Sequence, residues 1–435
     1  MKALIDKIKN KKINIAVIGL GYVGLPLAVE FCKSGFKVVG IDIDQQKIAT
    51  VAKGKSYIRD APEETISNLV KNGLFTASSS FSPLEKTDAT FICVPTPLNK
   101  TKDPDISYIL DAANQIKKCL HKEQLVVLES TTYPGTTREL ILPILEETGL
   151  KLGVDFYLAF SPERIDPGNS QYTLKNTPKL VGGITKNCTH LAKLLYRQII
   201  DTVVSVSSPE VAEMAKLLEN TFRSVNIALV NEMALMCDKL KIDVWEVIDA
   251  AATKSFGFIP FYPGPGLGGN CLPVDPNYLS WKMRTLNYQV RFVDLATQIN
   301  TQMPYYVVHK LLDVVNIHLR KSISRAKILI LGVTYKRDVD DVRESPAIDI
   351  IKLLLEKKAD VAYHDPYIPQ LSIDGKIRKS VPLTSKLLQK MDCTAIITDH
   401  TCYDYDWIVQ SSKLILDNRN ATKNVKKGKE KILKL

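Results

Sequence analysis

The chain has 435 residues, 45% of them hydrophobic and 24% charged, with a formal net charge of +11. These proportions describe a globular protein of two or three domains. No apolar run is long enough to cross a bilayer, and residues 1–12 lack a signal-peptide core, so a cytoplasmic protein is expected, with no membrane partner. Residues 421–435 carry six Lys and one Glu, and residues 1–12 carry five Lys and one Asp, so most of the surplus charge lies in two basic ends. They read as solvated tails, and with no aromatic residue among the lysines they do not resemble a nucleic-acid footprint. The eight cysteines are scattered without a C-x-x-C pair, which argues against a disulfide framework and a zinc site.

In chain order, the β-branched run at 13–18 predicts a buried strand. It leads into Gly19-Leu20-Gly21-Tyr22-Val23-Gly24, a helix over 25–34 and a second strand over 37–41 that ends at Asp42. A G-x-G-x-x-G between strand and helix, with an acid 18 residues past the last glycine, is a dinucleotide fingerprint. The glycines let backbone approach a pyrophosphate at the helix N-terminus. Asp42 would accept hydrogen bonds from the ribose and repel a 2′-phosphate, which favours NAD over NADP. Strands over 89–94 and 124–129 end in the turns Val94-Pro95-Thr96-Pro97 and 130–137, and a third such turn covers 159–169. Ligands of parallel sheets sit at such carboxyl ends, so these turns are candidate cofactor contacts.

Ser208 as N-cap and Pro209 at the first position open a long helix over 210–240. Lys216, Asn220 and Arg223 share one face, and Leu217, Leu218, Phe222, Val225 and Leu229 supply an apolar side. A solvated face is the usual meaning of Lys and Asn on a helix, and nothing local excludes it. With a further helix over 244–252, this region would span domains or form a dimer interface. The segment Gly264-Pro265-Gly266-Leu267-Gly268-Gly269-Asn270-Cys271 then crowds glycines around one thiol, with Asp275 four residues on. It can present Cys271 for covalent chemistry, or Cys271 can simply pack. Beyond it, a strand at 326–331, a turn over 332–346, a helix over 347–358 and strands near 360–363, 393–398 and 413–417 predict a second parallel sheet. It has no glycine fingerprint; Lys336 and Arg343 could hold phosphates or a nicotinamide nucleotide.

In this order the motifs resemble the UDP-glucose/GDP-mannose dehydrogenase family: GLGYVGLP at 19–26, VPTP at 94–97, STTYPGTT at 130–137, SPER at 161–164, EMAKLLENTFR at 213–223, GGNCLPVDP at 268–276 and GVTYKRDVDDVRESP at 332–346. The resemblance implies an α/β fold with two Rossmann-like parallel-sheet domains joined by a long central helix and a helical dimerisation region. The expected domains are 1–207 for NAD, 208–310 for dimerisation and the cysteine loop, and 311–435 for the UDP-sugar. The family oxidises a sugar C6 alcohol to a carboxylate with two NAD+. By resemblance, Cys271 carries the carbon as a thiohemiacetal and then a thioester. Lys216 stabilises oxyanions and assists proton transfer, Asn220 holds the oxyanion and sugar, and Asp275 activates water with Thr131 and Glu163.

The resemblance also implies NAD contacts at Gly19, Gly21, Tyr22, Val23, Gly24, Asp42, Lys47, Thr96, Thr131, Val274 and Arg343. It implies nucleotide-sugar contacts from Glu163 and Arg164 to Pro167, at Lys216 and Asn220, from Pro260 through Tyr262 to Gly264, at Gly268 and at Lys336. FSPERIDPGN at 160–169 and FYPGPGLGGNC at 261–271 resemble the UDP-N-acetylglucosamine 6-dehydrogenases of surface polysaccharide synthesis. Two departures bear on substrate choice. Position 270 is Asn where acetamido-sugar members often carry His. Residues 252–255 lack the arginine that glucose-type members use from a partner subunit, which favours an N-acetylated sugar over UDP-glucose and leaves UDP-N-acetylmannosamine as an alternative. A two-electron hydroxyacid dehydrogenase or a nucleotide-sugar sensor is the competing class.

Overall fold

A computed structural model describes residues 1–58, 60–99, 103–166, 171–269 and 271–435. Pro167, Gly168 and Asn169 of the third turn, and Asn270 beside the cysteine, lie outside the described residues. The chain forms two compact units, one of Met1–Glu219 with Asn277–Tyr288, the other of Asn220–Pro276 with Gln289–Leu435. The chain passes between them three times, inside the helices Pro209–Leu240 and Cys271–Thr285 and again from Tyr288 to Gln289.

The first unit is built on eight strands: β1 (Asn14–Ile18), β2 (Lys37–Ile41), β3 (Phe75–Ser78), β4 (Ala89–Ile92), β5 (Gln124–Leu128), β6 (Phe156–Phe160), β7 (Lys179–Gly183) and β8 (Val203–Ser205). They lie in the order β3-β2-β1-β4-β5-β6-β7-β8. All neighbours pair in parallel except β6 with β7. The central strands are apolar on both faces because helices cover both. The apolar face of the N-terminal helix Lys2–Lys9 buries Leu4 and Ile8 in this core, so the first basic end is not the solvated tail expected from its charge.

The second unit holds β9 (Lys327–Leu331), β10 (Asp360–His364), the hairpin β11 (Gln370–Ile373) with β12 (Lys376–Lys379), β13 (Cys393–Ile396), β14 (Ile415–Asp417) and β15 (Ile432–Lys434). Five of them form a parallel sheet in the order β10-β9-β13-β14-β15. The second basic end is therefore corrected as well: its last residues add an edge strand beside β14, and Leu435 is buried. The lysines flanking that strand blunt an edge that would otherwise invite pairing with another chain.

One carboxylate organises the ligand-side turns of this sheet. Asp365, buried just past β10, accepts the N–H groups of Val333 at 2.7 Å and Tyr367 at 2.8 Å and the Nε2 of His400 at 3.1 Å. His400 Nδ1 accepts the Asp338 N–H at 2.9 Å, which leaves the ring proton on Nε2. Burial alone would raise the Asp365 pKa, but the His400 hydrogen bond and the backbone N–H groups outweigh it and hold the carboxyl below its ordinary range. Asp365→Ala is predicted to destabilise the protein by about 3 kcal/mol in denaturant unfolding, since it orphans buried donors. A depressed folded-state pKa gives stability that is present above the unfolded value and lost as pH falls through the folded one. The gap between wild type and variant should therefore close below about pH 4.

Candidate active site

In the first unit, the turn after β1 leaves no room for side chains where it is packed. A Cβ on Gly19, whose φ is +93°, would lie 2.5 Å from the Cys93 carbonyl oxygen, and one on Gly24 1.9 Å from the Gly19 oxygen. A Cβ on Gly21 would meet nothing within 4 Å, so this glycine borders open space. Tyr22 and Val23 then lead into the helix Gly24–Lys33. Asp42, buried at the end of β2, accepts the Leu20 N–H at 2.8 Å, the Asp44 N–H at 2.9 Å and Lys47 Nζ at 3.2 Å. A bare glycine turn at a helix N-terminus, with an acid fixed on the next strand, fits the pyrophosphate and ribose of NAD.

The long helix is fastened to the turn after β5 by a second buried acid. Glu213 accepts the N–H groups of Gly135 at 2.7 Å and Thr137 at 3.0 Å, and the Thr137 hydroxyl at 2.6 Å. This fixes the helix beside the turn that carries half-buried Thr131 and fixes Lys216, which is only 7% exposed. In the turn after β6, Glu163 accepts the N–H groups of Arg164 at 2.7 Å and Ile165 at 2.6 Å. Burial would raise the Glu163 pKa; the charges of Lys179 and Lys216 and these N–H groups outweigh burial and hold it low. Arg164 itself pairs with Glu219 at 2.7 Å, and the Thr96 carbonyl accepts the Tyr278 hydroxyl at 2.9 Å.

In the second unit, Cys271 is exposed at the first position of its helix. Val274 is half-buried, and Asp275 is buried and accepts Asn220 Nδ2 at 2.5 Å. The glycine loop is seated from two sides. The Gly264 N–H donates to Asn231 Oδ1 at 2.9 Å, Asn231 Nδ2 donates to Asn300 at 2.9 Å, and Asn300 donates to the Ser224 carbonyl at 3.1 Å. On the other side, Gly268 and Gly269 lie against Tyr335, and the Gly269 N–H donates to the Arg343 carbonyl at 2.9 Å. The Arg343 guanidinium pairs with Asp341 at 2.6 Å, and Lys336 is half-buried on the same segment. Tyr262 is 45% exposed, stacks on Trp245 and donates to Asp249 at 2.7 Å.

The long helix inverts one expectation. Its polar residues Glu213, Lys216, Asn220, Ser224 and Asn231 are buried, whereas Leu218, Phe222 and Leu229 are exposed. The solvated reading of Lys216 and Asn220 is thereby overturned, and of the expected polar face only Arg223 is exposed. Sequence reasoning missed three features, the first two of which carried no signal. Lys179 lies buried between Glu129 and Glu163. Arg419, just past β14, brings its guanidinium against the Gly264 backbone and donates its Nε to the Ile397 carbonyl at 3.1 Å. Asn231 extends the polar stripe, and its helical spacing from Asn220 could have flagged it.

These elements define a two-sheet dinucleotide-binding enzyme with a thiol on a helix N-terminus. Models of the UDP-glucose/GDP-mannose dehydrogenase family match the chain throughout: the NAD binding domain over residues 13–200, the central domain over 210–302 and the UDP binding domain over 329–424. The chain belongs to this family of NAD-dependent nucleotide-sugar dehydrogenases. It is 38% identical over 360 residues to a UDP-N-acetyl-D-glucosamine 6-dehydrogenase of Pseudomonas aeruginosa, covering 82% of this chain and 84% of the relative. It is 33% identical over 429 residues to a UDP-N-acetyl-D-mannosamine dehydrogenase of Methanococcus vannielii, covering 95% of each. The solved UDP-D-ManNAc dehydrogenase of Pyrococcus horikoshii superposes with a TM-score of 0.86 at 34% identity, covering 96% of this chain and 97% of that one. Among the described residues no helix is long and apolar enough to cross a membrane, and no group of His, Cys, Asp and Glu could hold a metal ion.

Gly268→Ala tests the seating of the cysteine loop. The new Cβ would lie 2.5 Å from Tyr335 Cβ and 2.9 Å from the Glu344 carbonyl oxygen, so the loop must move. Thermal unfolding should show a loss of about 1–3 kcal/mol, and NADH formation should fall with it.

Proposed function

We propose that the chain oxidises the C6 alcohol of UDP-N-acetylglucosamine to the uronate, a step suited to surface polysaccharide synthesis. The observation that supports the chemistry best is the buried Asn220–Asp275 pair one helical turn from exposed Cys271. A helix N-terminus favours a thiolate, and a thiolate adds to the C6 aldehyde to give a thiohemiacetal. Lys216 offers its ammonium to the oxygen as negative charge develops, and Asn220 offers an amide N–H to the same oxygen. The thiohemiacetal becomes a Cys271 thioester, so the aldehyde is never released. Asp275, oriented by Asn220, holds the hydrolytic water with Thr131 and Glu163, and its attack returns the thiol.

Bound NAD+ supplies the hydride acceptor, two per sugar, so that one alcohol and one water yield a carboxylate, two NADH and three protons. Gly19 to Gly24, Asp42, Lys47, Thr96, Thr131, Val274 and Arg343 would hold it. Glu163, Arg164, Tyr262, Gly264, Gly268 and Lys336 would hold the UDP-sugar, and Arg419 adds a cation against the glycine loop. The identity to UDP-N-acetyl-D-glucosamine 6-dehydrogenases favours the gluco sugar. The second reading is UDP-N-acetylmannosamine, favoured by the likeness to dehydrogenases of that sugar over almost the whole chain.

NADH release measured with UDP-N-acetylglucosamine, UDP-N-acetylmannosamine, UDP-glucose and GDP-mannose should be fastest with the first. A preference for UDP-glucose would refute the assignment. Two NADH should appear per uronate, and Asn220→Ala should lower kcat by about 10²–10³-fold. Cys271→Ala that still makes uronate at full rate would refute covalent capture.

The exposed apolar residues Leu229, Met236, Phe292 and Leu295 of the second unit support assembly into a homodimer. Light scattering should then give twice the 48.6 kDa chain mass, and Leu229→Asp should shift the mass toward one chain.

A further inference from the structure

The first unit buries an ammonium that the proposed chemistry does not use. Lys179 opens β7 and is 4% exposed. Its Nζ lies 2.6 Å from Glu129 Oε2 and 3.4 Å from Glu163 Oε2. Glu129, fully enclosed just past β5, accepts the hydroxyl of buried Tyr196 on its other oxygen, Oε1. The Tyr196 ring also passes beneath the ammonium, 5.4 Å from centroid to Nζ. Taking a lysine and two carboxylates out of water carries a heavy desolvation cost, which the contacts among them must offset. One carboxylate would suffice to neutralise Lys179, yet the fold supplies two.

The second carboxylate ties the pair to the site. Glu129 lies two residues before Thr131, and Glu163 lies in the turn after β6. In the sheet, β6 separates β5 from β7, so Lys179 reaches past the end of β6 and links both ligand-side turns. The groups facing Glu163 are Lys179, Lys216 and the Glu129 carboxylate behind Lys179, with Cys93 and Tyr196 further along the same cluster. Lys179 and Lys216 set two cations against two carboxylates; burial nonetheless leaves Glu129 above its ordinary pKa, while Glu163 is held below its own.

We propose that Lys179 is a positioning residue: anchored by Glu129 and Tyr196, its ammonium fixes the Glu163 carboxylate and the Thr131 turn for hydrolysis of the Cys271 thioester. This rests on the role proposed for Glu163. Burial raises a lone carboxylate's pKa, and Lys179 is the largest influence that opposes it at Glu163. Without Lys179, Glu163 takes up a proton at higher pH, and the hydrolytic half-reaction slows on the acid side.

The test compares Lys179→Met, Lys179→Arg, Lys179→Met/Glu129→Gln and Glu163→Gln enzymes by rapid mixing with NAD+ and nucleotide sugar. The double variant removes both buried charges, so Glu129 is not left as an unpaired ion if Lys179→Met fails to fold. Expected for it is an NADH burst of wild-type amplitude followed by turnover about 10- to 100-fold slower, the scale on which misplacing a reacting group by about 1 Å slows a step. The acid limb of its kcat profile should move toward neutral pH, and Lys179→Arg should restore most of the rate. A folded double variant with wild-type turnover and acid limb, or one whose burst falls in step with turnover, overturns the proposal. If Glu163→Gln turns over like wild type, the role of Glu163 itself fails. If Glu163→Gln is slow while the double variant is not, the Lys179 proposal alone fails.

Discussion

The 2.5 Å hydrogen bond from Asn220 to Asp275 joins the long helix to the helix that begins with Cys271. A carboxylate that is 4% exposed must find donors within the protein, because an unpartnered buried charge costs far more than one hydrogen bond returns. Meeting that demand fixes the rotation of the long helix about its axis. The same rotation turns Ser224 and Asn231 inward, where Asn231 and Asn300 seat the glycine loop, and turns Leu229 outward. The helix therefore buries polar groups and exposes apolar ones, against the pattern that would stabilise a lone chain best. A site that needs several fixed polar groups explains the first half of that inversion; a second copy covering the apolar side would explain the other.

The proposed chemistry uses two acids in different settings. Asp275 is held by a neutral amide, and Glu163 by backbone N–H groups beside two ammonium groups. Glu213, a third buried acid, fastens the helix bearing Lys216 and is raised above its ordinary pKa chiefly by burial. Glu163 and Glu213 thus each fix a backbone segment as well as a charge.

Much of this was legible in the sequence. The fingerprint from Gly19 to Gly24 with Asp42 announced the first sheet because strand, turn, helix and acid must follow in that order and spacing. The strand–helix alternation after 326 announced the second. The burial of the polar stripe was not legible, since periodicity separates the faces of a helix without saying which one meets the protein. The final strand was hidden by its lysines: Ile432 and Leu433 become a strand only because β14 offers an unpaired edge. Lys179 and Arg419 were invisible for a related reason. Each is a single cation in an unremarkable local sequence, and its partners, Glu129 and Glu163 in one case and the Gly264 backbone in the other, come from distant segments.

The central claim is that Cys271 carries the substrate carbon. The direct measurement is mass spectrometry of the Cys271 peptide after acid quench of an Asp275→Asn enzyme supplied with NAD+ and UDP-N-acetylglucosamine. Slowed hydrolysis should leave the uronyl group on Cys271 as a thioester that hydroxylamine removes. An unmodified Cys271 peptide, with uronate forming at the wild-type rate, would contradict the account.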